Sequence, residues 1–340
     1  MKKYLILSLF IALFIWISCG NKTSNTSTSI MSSKDSIYIK IAKLNELIKL
    51  NPNDAALLNN RATLYIEKLD YDSAFNDIRK ALLLDSTKSK YYCTLSDIYF
   101  ANGKIDKSND ALTKALILDP KNNEAYLKSA EVFLILDDYK KCFEYLSKAV
   151  EFEKINPKAY YIRGMALKQI GDTVKAISSM QTAVEQNPDY YDAYIQLGLM
   201  YASQHDDLAI DYYNNALNIN PQSIEALYNM GMFYQEHNMA VDAIKSYNTI
   251  LKIEPKHKNA TYNIGYVNLV YLEKYNEAIT YFSEVVKIDP KYTDAYYNRG
   301  LCYEMLGDFK NAKIDYQNAM RIVPNYEKAV LALNRIDNSK

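Results

Sequence analysis

Seven of the eight prolines stand in a single frame: Pro52, Pro120, Pro188, Pro221, Pro255, Pro290 and Pro324. Ser86 and Lys154 occupy the two missing positions, so the steps are 34, 34, 34, 34, 33, 34, 35 and 34 residues. A chain that repeats at this period does not enlarge one central core. Each period is a small unit whose apolar face is buried only by stacking on its neighbours. Pro157 is off frame but falls in the first turn of a helix, where the missing N–H costs least. All eight prolines therefore mark helix boundaries.

Within each period two apolar stripes at helical spacing are separated by a short turn, as at Asn102-Gly103, Gly171-Asp172 and Gly307-Asp308. Six residues after the frame position a large side chain is usual: Leu58, Tyr92, Tyr126, Tyr160, Tyr194, Leu227 and Tyr296, with Thr261 the smaller member. Ten after, the residue is small: Ala62, Ser96, Ala130, Gly164, Gly198, Gly231, Gly265 and Gly300. In the second stripe Ala74, Ser108, Cys142, Ala176, Ala209, Ala243, Ala278 and Ala312 recur. Large and small side chains alternating at fixed places predict two helices that close tightly and leave a gap for the next pair.

This pattern resembles the tetratricopeptide repeat, with eight repeats in register over 53–324. The departures are one residue lost near 203–207 and one gained near 270–273. The resemblance implies an all-α fold, a right-handed superhelical solenoid of antiparallel helix pairs. An amphipathic helix is expected over 35–51 in front of it, and a capping helix and tail over 325–340 behind. In this family the first helices line a concave groove that takes an extended or helical peptide. Carried over by position, the groove residues are Asn59, Asn60 and Thr63; Cys93 and Asp97; Lys128 and Glu131; Tyr161, Met165 and Lys168; Ile195, Gln196 and Leu199. The last three repeats add Tyr228, Asn229 and Met232; Tyr262, Asn263 and Tyr266; Tyr297, Asn298 and Leu301. The recurring Tyr-Asn pairs read either as a ladder of aromatic faces beside amides or as plain repeat consensus. A subfamily clamps a carboxylate with a first-repeat Lys; Asn59 stands there, so no such clamp is expected. The expected partners are other proteins or peptides.

The first 34 residues are of another kind. Lys2 and Lys3 precede an apolar run over 4–17, too short for the roughly 20 residues a membrane span needs. It suits the hydrophobic segment of a signal peptide over 1–18. Ser18-Cys19-Gly20 follows and resembles the lipobox of bacterial lipoproteins, although Trp16 stands where that motif usually has Leu. The resemblance implies lipidation of Cys19 and a lipid-anchored protein of the bacterial cell envelope facing the periplasm. The residues alone are equally those of a plain signal peptide or an uncleaved anchor. Ser, Thr and Asn dominate 19–34, a composition that buries no core and reads as a flexible tether.

Forty Lys and Arg balance forty Asp and Glu, which argues against nucleic-acid binding by bulk charge. Cys93, Cys142 and Cys302 are far apart with no CxxC spacing, and read as small packing residues. His205, His237 and His257 fall in or beside turns, with no metal-ligand spacing between any two, and read as solvated loop side chains. No nucleophile motif, phosphate loop or metal motif is present, so neither catalysis nor a cofactor is expected. Arg61 and Arg299 each have an Asp sixteen residues later, Asp77 and Asp315, which predicts an ion pair inside each of those repeats.

Overall fold

The computed structural model describes residues 33–338, and the segments read above as signal peptide, lipidation site and tether lie outside it apart from the last two tether positions. The described residues hold eighteen α-helices and no strand. Helix α1 (Ser33–Leu50) comes first. Pairs of first and second helices follow: α2 (Ala55–Glu67) and α3 (Tyr71–Leu84), α4 (Ser89–Ala101) and α5 (Ile105–Leu118), α6 (Asn123–Ile135) and α7 (Tyr139–Phe152), α8 (Pro157–Gln169) and α9 (Thr173–Gln186). Then come α10 (Tyr191–Ala202) and α11 (Leu208–Ile219), α12 (Ile224–Glu236) and α13 (Ala240–Ile253), α14 (Lys258–Val270) and α15 (Tyr275–Ile288), and α16 (Thr293–Met305) and α17 (Phe309–Ile322). Helix α18 (Glu327–Asn338) closes the series. The chain divides into two compact units between Ser179 and Met180.

The helix ends follow from local chemistry. Asp54, Asn122, Asn156 and Ser223 sit just before first helices and accept hydrogen bonds from their opening N–H groups. Asp70, Asp138 and Asp308 do the same for second helices. Each first helix is followed by a residue in the left-handed region, and the N–H of the very next residue closes the turn. Asp70 N–H reaches the Tyr65 carbonyl at 2.8 Å, and Lys104, Asp138, Asp206, Met239 and Asp308 repeat the bond. Gly103, Gly171 and Gly307 take this conformation at the turns read from the sequence. Leu69, Asp137, His205, Asn238 and Glu273 take the same conformation with a side chain attached. The inserted residue near 270–273 is visible here: Lys274 N–H bonds the Asn268 carbonyl, one residue further back than its counterparts.

In the N-terminal unit α1 packs on α2, and α4, α6 and α8 each lie against the second helix before them. First helices also touch first helices: α2 and α4, α4 and α6, α6 and α8. The C-terminal unit repeats the scheme, with α10 against α12 and α14 against α16. The alanines at the recurring small positions of the second helices, from Ala74 to Ala319, are fully buried.

The small position of the first helix has a partner that the periodicity did not reveal. A Cβ built on Gly198 would lie 2.4 Å from the ring of Tyr213. Gly231, Gly265 and Gly300 face Tyr247, Phe282 and Tyr316 in the same way. In the N-terminal unit the corresponding residues are Ala62, Ser96, Ala130 and Gly164, and the second helices of the first three repeats carry Ile78, Leu112 and Leu146. In seven of the eight repeats glycine accompanies an aromatic ring, or a residue with a Cβ accompanies an aliphatic side chain; the fourth has Gly164 with Met180 sixteen residues later. Both combinations fill one space to the density of a protein interior.

The expected ion pairs form. Arg61 donates through Nε and Nη2 to both oxygens of Asp77, each at 2.6 Å. Arg299 grips Asp315 with bonds of 2.7 and 2.8 Å and adds Ser283 at 3.1 Å. The hydrogen bond to the carboxylate raises each guanidinium above its ordinary range against the opposing effect of burial.

Candidate functional site

First helices adjoin one another within each unit, so the residues read as groove-facing come from neighbouring elements and can be placed one by one. Several are already spent on the fold. Asn59 is 1% exposed, and its Oδ1 is buried without a hydrogen-bond partner. Cys93 and Ile195 are buried, as are Tyr161 and Gln196, both of which are engaged with neighbours. None of these five presents a surface to a peptide, which corrects the sequence reading for Asn59 and Tyr161 in particular. Asn60 and Thr63 are exposed; the Thr63 hydroxyl donates to the Asn59 carbonyl.

The first-helix face of the N-terminal unit is charged but paired. Lys128 of α6 donates to Asp97 of α4 at 2.6 Å and lies 3.3 Å from Glu124. Lys158 of α8 meets Glu131 at 2.8 Å. Burial opposes the Lys128 charge, but Asp97, Glu124 and Glu131 outweigh it and raise the ammonium above its usual range. Burial in turn raises Asp97, with Lys128 acting against it. Lys128 is therefore a link between repeats, not a free cation.

The C-terminal unit carries the tyrosine and amide residues. The Asn263 amide donates to the Tyr228 hydroxyl at 3.2 Å and lies 3.4 Å from Met232 Sδ. The Asn298 amide donates to the Tyr262 hydroxyl at 2.7 Å. Each amide thus reaches back to the tyrosine of the preceding repeat, and both asparagines are 7% exposed. The expected free ladder is largely a set of struts between repeats. Tyr262 is also held by rings, with centroids 5.0 Å from Tyr292 and 5.5 Å from Phe282, and burial drives its hydroxyl upward. Tyr297 stands edge-on to Tyr326 at 5.9 Å.

Asn229 is the exception. One repeat upstream the matching residue is Ile195, which offers no hydroxyl, and the half-buried Asn229 amide forms no hydrogen bond. Around it in sequence position stand Tyr228, Met232 and, on the next first helix, Tyr266, all partly exposed. The open part of the face is this cluster on α12 and α14.

Three features were not legible in the sequence. His205 and His237, 32 residues apart in the turns of successive repeats, are brought together with ring centroids 5.5 Å apart. Asp192, partly buried near Glu225, has its carboxyl pushed up to about 6, first by burial and then by the Glu225 charge. A small apolar recess of about 210 Å³ in the N-terminal unit is lined by Phe75, Arg79, Leu82, Leu83, Leu95 and Tyr99. The three thiols are free and buried; burial is the main cause that pushes each up to about 12. Among the described residues no group of three or more His, Cys, Asp or Glu is placed to hold a metal ion, and no helix is long and apolar enough to cross a membrane.

Five profiles of the tetratricopeptide repeat match the chain, over residues 93–160, 157–190, 225–257, 268–307 and 293–334. The chain is a tetratricopeptide-repeat array. It is similar in fold to the C-terminal part of a TPR repeat-containing protein from Cytophaga hutchinsonii, with a TM-score of 0.63 at 18% identity over 71% of this chain and 99% of that one. A 73-residue stretch is 38% identical to the photosystem I assembly protein Ycf3 of Acaryochloris marina (strain MBIC 11017). That stretch is 20% of this chain and 44% of the relative. YrrB, described as a TPR protein with an unusual peptide-binding site, is 27% identical over 54% of this chain and 95% of its own, with a TM-score of 0.38. Proteins of this repeat family act by binding other proteins or peptides.

Proposed function

We propose that the chain is an envelope-anchored interaction scaffold that takes a peptide segment of a partner protein on the first-helix groove of its C-terminal unit. The observation that carries this is the Asn229 amide, left unpaired among the partly exposed Tyr228, Met232 and Tyr266. An amide both donates to and accepts from a peptide backbone, and tyrosine adds broad, rigid contact area with a polar tip. Asn263 and Asn298 hold neighbouring tyrosines in place behind it. Paired charge in the N-terminal unit and an apolar, amide-bearing face here favour recognition of backbone and apolar side chains over acidic peptides or nucleic acid. Lipid on Cys19 fixes the array to a membrane on the periplasmic side.

Crosslinking in the native envelope tests the groove. The captured partner is lost in Asn229→Leu with Tyr266→Ala at a temperature where circular dichroism shows the variant fully folded; capture that survives both substitutions overturns the site. Labelled palmitate that enters wild type and is absent from Cys19→Ala tests the anchor. A second reading, an accessory subunit of an envelope assembly or export complex, is favoured by the likeness to an assembly protein. It requires co-purification with that complex independent of Asn229 and Tyr266.

A further inference from the structure

We infer that His205 and His237 form a binding site for a first-row divalent ion of the zinc, nickel or copper kind. His237 caps the end of α12 and His205 lies three residues past the end of α10, in the turns that follow adjacent first helices of successive repeats. Their ring centroids are 5.5 Å apart, with the planes tilted by 55°. With a metal–nitrogen bond of about 2.1 Å and a ring nitrogen about 1.2 Å from its centroid, two imidazoles on a tetrahedral ion have centroids about 5.3 Å apart. The observed separation matches that of two ligands of one ion.

The surroundings prepare His237 for this role. Its Nδ1 lies 2.8 Å from the Phe233 carbonyl, an acceptor, so Nδ1 carries the proton and Nε2 presents its lone pair. Metal-binding histidines are oriented by just such a bond from the second nitrogen. The ring also stacks on Phe233 with centroids 4.0 Å apart, which fixes its plane. His205 is placed by its backbone, in the left-handed region at φ 55°, between the His205 N–H bond to the Ala202 carbonyl and the Asp206 N–H bond to Tyr201. The Asp206 carboxylate accepts the Leu208 N–H at the start of α11 at 2.9 Å. The described residues supply no third ligand, so water fills the remaining positions. Imidazole selects zinc, nickel and copper, whereas magnesium and calcium prefer oxygen donors. A bound ion straps the turns of two repeats together.

The test is titration of the full chain, free of any polyhistidine tag, with Zn²⁺, Ni²⁺, Cu²⁺ and Mg²⁺ by calorimetry, with Co²⁺ absorption as a spectroscopic probe. One ion binds per chain, with the first three metals and not with Mg²⁺. Each of His205→Asn and His237→Gln weakens binding by more than the roughly tenfold that losing a supporting hydrogen bond costs. Asparagine is chosen at 205 because it tolerates the left-handed backbone, and unchanged circular dichroism keeps the comparison valid. Wild type that binds none of these ions, or binds them as tightly after both substitutions, overturns the assignment.

Discussion

Gly198→Ala is expected to destabilise the C-terminal unit, although alanine is the better helix former. The added Cβ would lie 2.4 Å from Tyr213 Cε1 and 2.6 Å from Cδ1, against ordinary carbon contacts of about 3.5–4.0 Å. Tyr213 is 1% exposed, so its ring has nowhere to withdraw. Overpacking of this kind costs roughly 1–3 kcal/mol. Replacing helical glycine by alanine returns about 0.5–1 kcal/mol. The net expectation is a loss of up to about 2.5 kcal/mol, centred on about 1 kcal/mol. The decisive arm is the double variant Gly198→Ala with Tyr213→Leu, which installs the combination that Ala130 and Leu146 already show in the N-terminal unit. Tyr213→Leu alone leaves a hole and is also destabilising. Together the two changes should cost less than their sum, with a coupling of about 1–3 kcal/mol. Urea denaturation followed by circular dichroism, supported by hydrogen exchange at α10 and α11, reads each arm. A single variant as stable as wild type, or a double variant that is merely additive, refutes the complementarity.

Arg299→Leu should lower stability by about 3 kcal/mol, because it strands the buried Asp315 carboxylate, and leave peptide capture intact; loss of capture from a normally melting variant would return Arg299 to the binding face. Asp192 has a folded-state pKa of about 6, above the ordinary value of about 3.9. The folded state therefore holds its proton more tightly, and this group's contribution falls as pH rises from about 4 to about 6. Asp192→Asn should accordingly be more stable than wild type at pH 7, with the gap closing on acidification through that window; melting curves showing a constant gap would refute it. With their thiols pushed up to about 12 by burial, Cys93, Cys142 and Cys302 should resist a disulfide reagent in the folded chain and react together in denaturant. Fast labelling of any of them at neutral pH without denaturant would contradict their burial.

The period, the helix boundaries and both arginine–aspartate pairs were legible because each depends on residues within one repeat. Pro, Asp and Asn at helix starts act on their own turn, and Arg61 meets Asp77 inside a single helix pair. What escaped the sequence reading depends on two neighbouring repeats at once. Position alone assigned Asn263 and Asn298 to the groove, correctly as to helix, but not the tyrosine hydroxyl that each finds one repeat back. His205 and His237 showed no ligand spacing along the chain, since they lie 32 residues apart and meet only where two repeats stack. The left-handed turn at Leu69 or Glu273 carries no glycine to announce it and is set by the closing bond of the preceding helix. The exchange of Gly198 with Tyr213 for Ala130 with Leu146 was present in the letters, and periodicity averaged it away.

The amide that reaches back one repeat has an evolutionary consequence. Whether an asparagine on this face is masonry or a docking point is decided by a residue some thirty-five positions upstream, tyrosine at 228 and 262 or isoleucine at 195. Tyrosine in place of Ile195 would close Asn229, and an aliphatic residue in place of Tyr228 would open Asn263. The recognition address can thus migrate along the array one repeat at a time through single changes that never touch the asparagine itself. Such an array changes partners without rebuilding its helices.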